Sequence, residues 1–441
     1  MLGLLCCLSL VGCANFSADG GFAPVAGAAR AELALDVTWP RTADERAKRD
    51  REVAQILAQP LTVDAAVQVA LLQNHELQSA FDGLGVSEAD LVQSGRLPNP
   101  RFTLRRSAGA EFLDLEETLT FNVVGILAQP YRHALEKRRF AQAQDALIVR
   151  IVQVADRTRT AYYTALAARD SLRYAGQVKE AADLGDELAQ RMRSAGNWNR
   201  LDQARERDLQ LDALARLTQA RFAVEASMAD LQRCLGTSAP GGLQLAEHLP
   251  ELPSAFVEAP DGRPLLERRV DLRMGRARLD ELSHRLKLVG ATRWLDVLDL
   301  GPTRVRNGPP PAPVESGFEV GFEVPLFDSG KARVRRAESL YAAAVEDYAQ
   351  AVADARAQLA IDAARYRSAF DLAALHRDQV LPNLKIIADQ DLLRYDASLV
   401  GVFELLADAR VRIGGINDYI ERVRDFWIAK SHLDAALIAN P

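Results

Sequence analysis

The chain has 441 residues, a net charge of −6 and 48% apolar residues, with alanine prominent among them. That length fits two or three ordinary domains or one elongated object. No basic stripe with interleaved aromatics is present, which argues against a nucleic-acid partner. The cysteines are Cys6, Cys7, Cys13 and Cys234. Three crowd the N-terminus, so no disulfide framework is expected, and none stands near a histidine at a metal-ligand spacing. No cofactor is expected.

In chain order, Met1 to Gly12 is almost wholly apolar and too short to span a bilayer, so residues 1–12 read as a secretory signal. Leu10-Val11-Gly12-Cys13 resembles a bacterial lipobox, which implies cleavage before Cys13 and acylation of that cysteine. The Lys/Arg-rich start of such signals is missing, and a chance apolar start is the competing reading. Ala14, rather than Asp, fits sorting of a lipoprotein to the outer membrane. Residues 13–60 read as a tail of low regular structure.

A first repeat is expected over residues 61–236. Thr62 is a good N-cap, and Val63, Val67, Ala70 and Leu71 follow at helical spacing, in a pattern that continues to about Gly95. Phe102 to Arg105 begins a period-2 stretch. After Ser107-Ala108-Gly109, Leu119, Phe121 and Val123 alternate with Thr118, Thr120 and Asn122, as in a hairpin with one apolar face. The hairpin is expected to end at Pro130. A helix of about 65 residues, nearly 100 Å at about 1.5 Å per residue, is expected from Arg132 to Ala195. Leu147, Ile151, Val154, Thr158, Ala161, Ala165, Ala168, Leu172 and Ala175 form a coiled-coil seam along it. After Ala195-Gly196-Asn197, a return helix runs to about Leu235.

Residues 237–263 are rich in proline and glycine and read as a linker. A second repeat over residues 264–441 follows the plan of the first. Its first strand is placed near Asp296 to Arg306. In the next, Phe318, Val320, Phe322 and Val324 alternate with Gly317, Glu319, Gly321 and Glu323. The strand ends at Pro325. A second long helix runs from about Lys331 to Ala397, breaks at Ala397-Ser398-Leu399, and returns to about Ala439.

Four strands per chain are too few to close a barrel, and two hairpins with apolar outer faces would leave exposed edges. Three chains would supply twelve strands, enough for a membrane barrel. Phe318, Val320, Phe322 and Val324 would then face lipid. A soluble sheet packed on helices is the competing arrangement.

Several stretches together resemble the TolC-type outer-membrane efflux protein family, in its lipoprotein branch. They are Leu61-Thr62-Val63-Asp64-Ala65-Ala66, Asn74-His75-Glu76-Leu77, Gly95-Arg96-Leu97-Pro98-Asn99-Pro100, Arg269-Val270-Asp271-Leu272, Pro325-Leu326-Phe327-Asp328-Ser329-Gly330 and Leu399 to Leu406. The resemblance covers almost everything from Leu61 to Ala439. It implies a mainly α fold with a β-barrel portion: a homotrimer forming a 12-stranded barrel on a long α-helical periplasmic tunnel. It implies a passive export conduit, not an enzyme, for small toxic solutes. Its partners would be a periplasmic adaptor, an inner-membrane pump of the resistance-nodulation-division type, and outer-membrane lipid.

The family narrows its periplasmic entrance with acidic residues just past the second hairpin tip. Glu404 matches the first of them, and Asp202 is its counterpart in the first repeat. The second family acid falls at Ala407, with Asp408 adjacent. A solvated coiled-coil charge is the plain alternative for Glu404. The resemblance makes Gly196, Asn197 and Trp198, with Ser398, Leu399, Val400 and Gly401, adaptor contacts; ordinary turns with internally packed apolar residues are the alternative. The six histidines are scattered, and Cys234 reads as an apolar filler. The rival function is a lipid-anchored periplasmic coiled-coil scaffold or adaptor without a pore. It has no use for a ribbon like Phe318–Val324.

Overall fold

The structure is a computed structural model that describes residues 15–108, 113–237, 242–258, 266–294, 297–308, 313–324 and 326–439. The signal segment, Cys13, Gly109, Asp296 and Pro325 lie outside the described residues.

The duplicated plan is present. The first repeat is built from α3 (Val63–Gln73), α4 (His75–Ser94), β1 (Arg101–Ala108), β2 (Leu113–Asn122), α5 (Val123–Ser194) and α6 (Arg200–Leu235). The second has α7 (Val270–Thr292), β3 (Leu298–Gly308), β4 (Val314–Phe322), α8 (Lys331–Leu375), a π-helical turn at His376–Val380, α9 (Leu381–Asp396) and α10 (Val402–Ile438). The wide turn comes just before Pro382. The Leu381 N–H bonds back to the His376 carbonyl, so the chain continues as helix where a proline supplies no N–H.

Four sequence expectations are corrected. The stretch before Leu61 is not low in structure: it holds α1 (Ala23–Leu33) and α2 (Ala43–Leu57). Thr42 caps α2 in a reciprocal capping box with Glu45, which lets a highly charged segment hold a helix. The first helical pattern breaks at Asn74. Its Oδ1 accepts from the Leu77 N–H and its Nδ2 donates to the Cys234 carbonyl, so one buried side chain starts α4 and ties it to α6. Pro130 does not end the first hairpin. The Asn122 side chain accepts from the Gly125 N–H and starts α5 at Val123, so that the 72-residue helix runs through Pro130. Val324 lies beyond the end of β4, where its carbonyl accepts from the Leu326 N–H at 2.8 Å in a tight turn.

The chain divides into two compact units. The first holds the sheet with the helix segments within 80–147 and 270–353. Its strands form one antiparallel meander in the order β1-β2-β3-β4, so that β2 and β3 join the hairpins of the two repeats. Among its helices, Glu281 is fully buried between Arg139 and Arg278, a buried charge held by two cations.

The second unit holds the other helical segments and the linker. Its core follows the expected seam: Leu147 closes the first unit's part of the seam, and Ile151, Val154, Thr158, Ala161 and Ala165 are buried here. Phe426 packs against Tyr366, Phe370 and Trp427, with centroids 5.1 to 5.9 Å apart, and Trp427 donates to the Pro250 carbonyl at 2.9 Å. The linker is thereby pinned to the bundle. Leu61 and Leu245 form a parallel bridge, and the Tyr162 hydroxyl donates to the Leu61 carbonyl at 2.7 Å. Arg269 is fully buried and donates to the Ala436 carbonyl at 2.6 Å, closing an unfilled acceptor in the last turn of α10.

Candidate functional sites: the hairpin tips and the sheet face

Both long helices end in the same turn. In the first repeat the Asn197 N–H bonds to the Met192 carbonyl at 2.9 Å and the Gly196 N–H to the Arg193 carbonyl at 3.0 Å. In the second, Leu399 bonds to Arg394 and Ser398 to Tyr395, each at 2.8 Å. This is the Schellman pattern, which needs a left-handed residue. Gly196 supplies it at φ +78°, and Ser398 is forced into it at φ +60°. The pairing aligns Asn197 with Leu399, Trp198 with Val400, Asn199 with Gly401 and Asp202 with Glu404.

On this shared backbone the chemistry differs. Asn199 caps α6: its Oδ1 accepts from the Asp202 N–H at 2.9 Å, and its Nδ2 donates to Asp202 Oδ2 at 2.7 Å. Asp202 also pairs with Arg205 at 3.3 Å. Gly401 offers α10 no side-chain cap. Glu404, in the position of Asp202, is exposed, and its side chain has no hydrogen-bond or ion-pair partner among the described residues.

One turn further on, Glu206 pairs with Arg410 of the other hairpin at 3.2 Å, with 11% and 15% of their side chains exposed. Gly185 leaves the space for this pair: a Cβ there would lie 3.1 Å from both Arg410 Nη2 and Glu206 Oε2. Asp408 takes the place of Glu206 in the second repeat. Its hydrogen bond with the Asp391 carboxyl, then burial, then the negative charges of Asp391 and Glu404 hold its carboxyl above the usual range. The second tip therefore gathers Asp391, Glu404 and Asp408 with Arg394 on Asp391, while at the first Asp202 and Glu206 each have a cation.

Trp198 and Phe403 stack at 4.1 Å and 26°, joining the two tips. Val400 is buried. Of the residues expected at the adaptor contact, Trp198 and Val400 thus pack within the chain, whereas Leu399 is 72% exposed. Gly196, Asn197, Ser398 and Gly401 are exposed beside it. The clasp partners Phe403, Glu206 and Arg410, and the acid Asp391, were not singled out in the sequence. A spacing of four between the acids at 202 and 206, and again at 404 and 408, was the available signal.

On the sheet, alternate residues sort by register. One face carries the rows Phe102–Leu119–Pro302–Phe318, Phe121–Leu300–Val320 and Leu298–Phe322. Phe318 is 65% and Phe322 61% exposed, so this apolar face is uncovered. The other face is polar. The Thr118 and Thr303 hydroxyls meet at 3.0 Å, and Arg105 pairs with Glu116 at 2.8 Å. Gly301 sits where a Cβ would fall 1.8 Å from the Leu119 carbonyl oxygen, so the close strand approach there excludes any side chain. Both outer strands, β1 and β4, have an open edge.

Cys234 is a buried free thiol that burial pushes up. His432 is held toward its protonated form by Asp156, which also accepts from Ser431 at 2.8 Å. Among the described residues no group of three or more His, Cys, Asp or Glu could hold a metal ion, and no helix is long and apolar enough to cross a membrane.

A meander with open edges, an uncovered apolar face and duplicated helical hairpins together define a class of fold. Solved structures give that class. The chain is similar to CusC, described with its transmembrane channel formation, at 16% identity and a TM-score of 0.71, over 86% of this chain and 92% of that one. It is similar to the open-state MtrE outer membrane channel of Neisseria gonorrhoeae at 15% identity and a TM-score of 0.71, over 86% and 89%. The fold is that of the TolC-type outer-membrane efflux channels. In sequence, it is 25% identical over 249 residues to the cobalt-zinc-cadmium resistance protein CzcC of Cupriavidus metallidurans, covering 55% of this chain. The match spans little more than half of that relative, 57% of its length. No protein-family model matches the sequence.

Proposed function

We propose that this chain is the outer-membrane channel of a tripartite efflux system, working as a homotrimer. The observation that carries the reading is the sheet: its uncovered apolar face and two open edges leave a large unfavourable surface that closure in a membrane removes. Its strands have 8 to 11 residues, close to the roughly 9–11 that a tilted strand needs to cross a bilayer. Three copies would supply twelve strands, with Phe318, Val320 and Phe322 toward lipid, and their helices would line a periplasmic tunnel. Acylated Cys13 would anchor each chain.

The hairpin tips serve as the entrance. Glu404, Asp408 and Asp391, with Arg394 pairing with Asp391 at 3.2 Å, leave the second tip an excess of negative charge, which repeated around a threefold axis would bind cations and narrow the opening. Asp202, matched by Arg205, contributes less to this ring. Leu399, with Asn197, Gly196, Ser398 and Gly401, forms the adaptor contact. An inner-membrane pump of the resistance-nodulation-division type supplies the energy. The cargo is small toxic solutes. The similarity to CzcC, a protein named for cobalt, zinc and cadmium resistance, together with the acidic tip favours divalent cations among them.

The test is the assembly itself. Purified from the outer-membrane fraction, the protein should run as a heat-sensitive trimer on gels and weigh three chains by native mass spectrometry. A monomer that stays in the soluble fraction after release of its lipid would replace the channel with the scaffold reading.

A further inference from the structure

The row nearest the hairpin turns departs from the rest of the apolar face. It reads Arg106–Leu115–Arg306–Val314, and the row beneath it Leu104–Glu117–Arg304–Ser316. Arg106 and Arg306 flank Leu115 on its two neighbouring strands. With strands about 4.8 Å apart, their Cα atoms are about 10 Å from each other, close enough for both side chains to reach one anion. Neither row neighbour is acidic. On the opposite face the equivalent arginine, Arg105, is already neutralised by Glu116 at 2.8 Å. Arg106, Arg304 and Arg306 are exposed, and among the described strand residues Glu117 is the one acid on this face.

The position along the strand is informative. From Phe322 to Val314 is eight residues, about 27 Å along the strand and about 21 Å in height at a tilt of ~40°. That places the arginine row near the top of an apolar band about 25 Å tall, where headgroups begin. Near the other end of the sheet, where the chain passes to helices, Trp294 and Phe327 are exposed, and Tyr131 is exposed further along α5, the residue types of an interface. The two ends of the face thus differ: aromatics at one, unmatched cations at the other.

We propose that Arg106 and Arg306, with Arg304 below them, bind the phosphate of a membrane lipid in the leaflet around the turn end of the barrel. The proposal rests on the membrane reading of the sheet. Planar guanidinium groups take phosphate oxygens in pairs, and Leu115 between them would pack on the acyl chain.

The experiment uses the purified full-chain trimer in a nonionic detergent. Binding of dioctanoyl phosphatidic acid and dioctanoyl phosphatidylcholine is compared by native mass spectrometry and thermal shift. The wild type should prefer phosphatidic acid. Arg106→Gln and Arg306→Gln should each weaken that binding about fivefold, and Arg105→Gln should leave it unchanged. Binding by both glutamine variants as tight as that of the wild type, or equal protection by inorganic phosphate, would overturn the proposal. If the glutamine variants do not assemble, the wild type decides, because absence of a phosphatidic acid preference overturns it alone. Conductance of the same preparations separates the readings: a conducting trimer without lipid preference removes this site and leaves the channel.

Discussion

The two hairpin tips are one backbone with opposite chemistry. Both close through the same pair of backbone hydrogen bonds, and both start the return helix three residues later. The first uses glycine where the turn needs it, caps α6 with Asn199, and gives Asp202 and Glu206 a cation each. The second puts serine in the left-handed position, leaves α10 uncapped, and sets Glu404 and Asp408 near Asp391. The first tip is held by its cap and ion pairs, and the second sets Asp408 against a second carboxyl and leaves Glu404 exposed. A symmetric support would need no such split; the proposed entrance, which would have to widen, would.

The largest effect expected in breaking this comparison comes from Arg410→Ala, which leaves the nearly buried Glu206 without its partner. The loss should be about 2 kcal/mol, read as a lower melting temperature, and the entrance should loosen, read as higher conductance. Glu206→Gln with Arg410→Ala should recover part of it. Next is Trp198→Ala, which removes the stack on Phe403 and should cost about 1 kcal/mol by thermal denaturation.

The acid pair gives a smaller, pH-dependent effect. The Asp408 carboxyl titrates above its unfolded value, so its contribution favours the fold below about pH 4 and is lost as pH rises through the raised value. Asp408→Asn should remove that loss, raising stability at neutral pH by less than about 1 kcal/mol and flattening the pH profile. The smallest is Ser398→Gly, which relieves a left-handed non-glycine residue and should stabilise the second tip by about 0.5 kcal/mol. An equal change from Gly196→Ser in the stabilising direction would deny the comparison of the two turns.

What could be read from the sequence was set by period. The second hairpin was legible because Phe318, Val320 and Phe322 alternate without interruption, and the long helices because apolar seam residues recur over many turns. Asn74 was not legible as a break, because the residues on either side keep one helical rhythm and its bonds reach the distant Cys234 carbonyl. Pro130 misled for the opposite reason: the signal that starts α5 is the cap at Asn122, eight residues earlier, and a proline in a very long helix is carried by its neighbours. The charged α2 was hidden by its composition, although Thr42 and Glu45 spell its cap. At the tips, Glu404 and Asp202 could be matched by spacing alone. The pairs that give them meaning, Trp198 with Phe403 and Glu206 with Arg410, join residues about two hundred positions apart, which no local pattern reveals.

In the proposed channel, three second tips, each with Glu404 exposed, would form the narrow entrance of the pore. Single-channel recording in planar bilayers tests it most directly, with wild type and Glu404→Ala compared in the presence and absence of divalent cations. The expected result is a conducting trimer, partial block by divalent cations, and higher conductance with weaker block in the variant. A protein that never conducts, or a variant unchanged in both conductance and block, would contradict it.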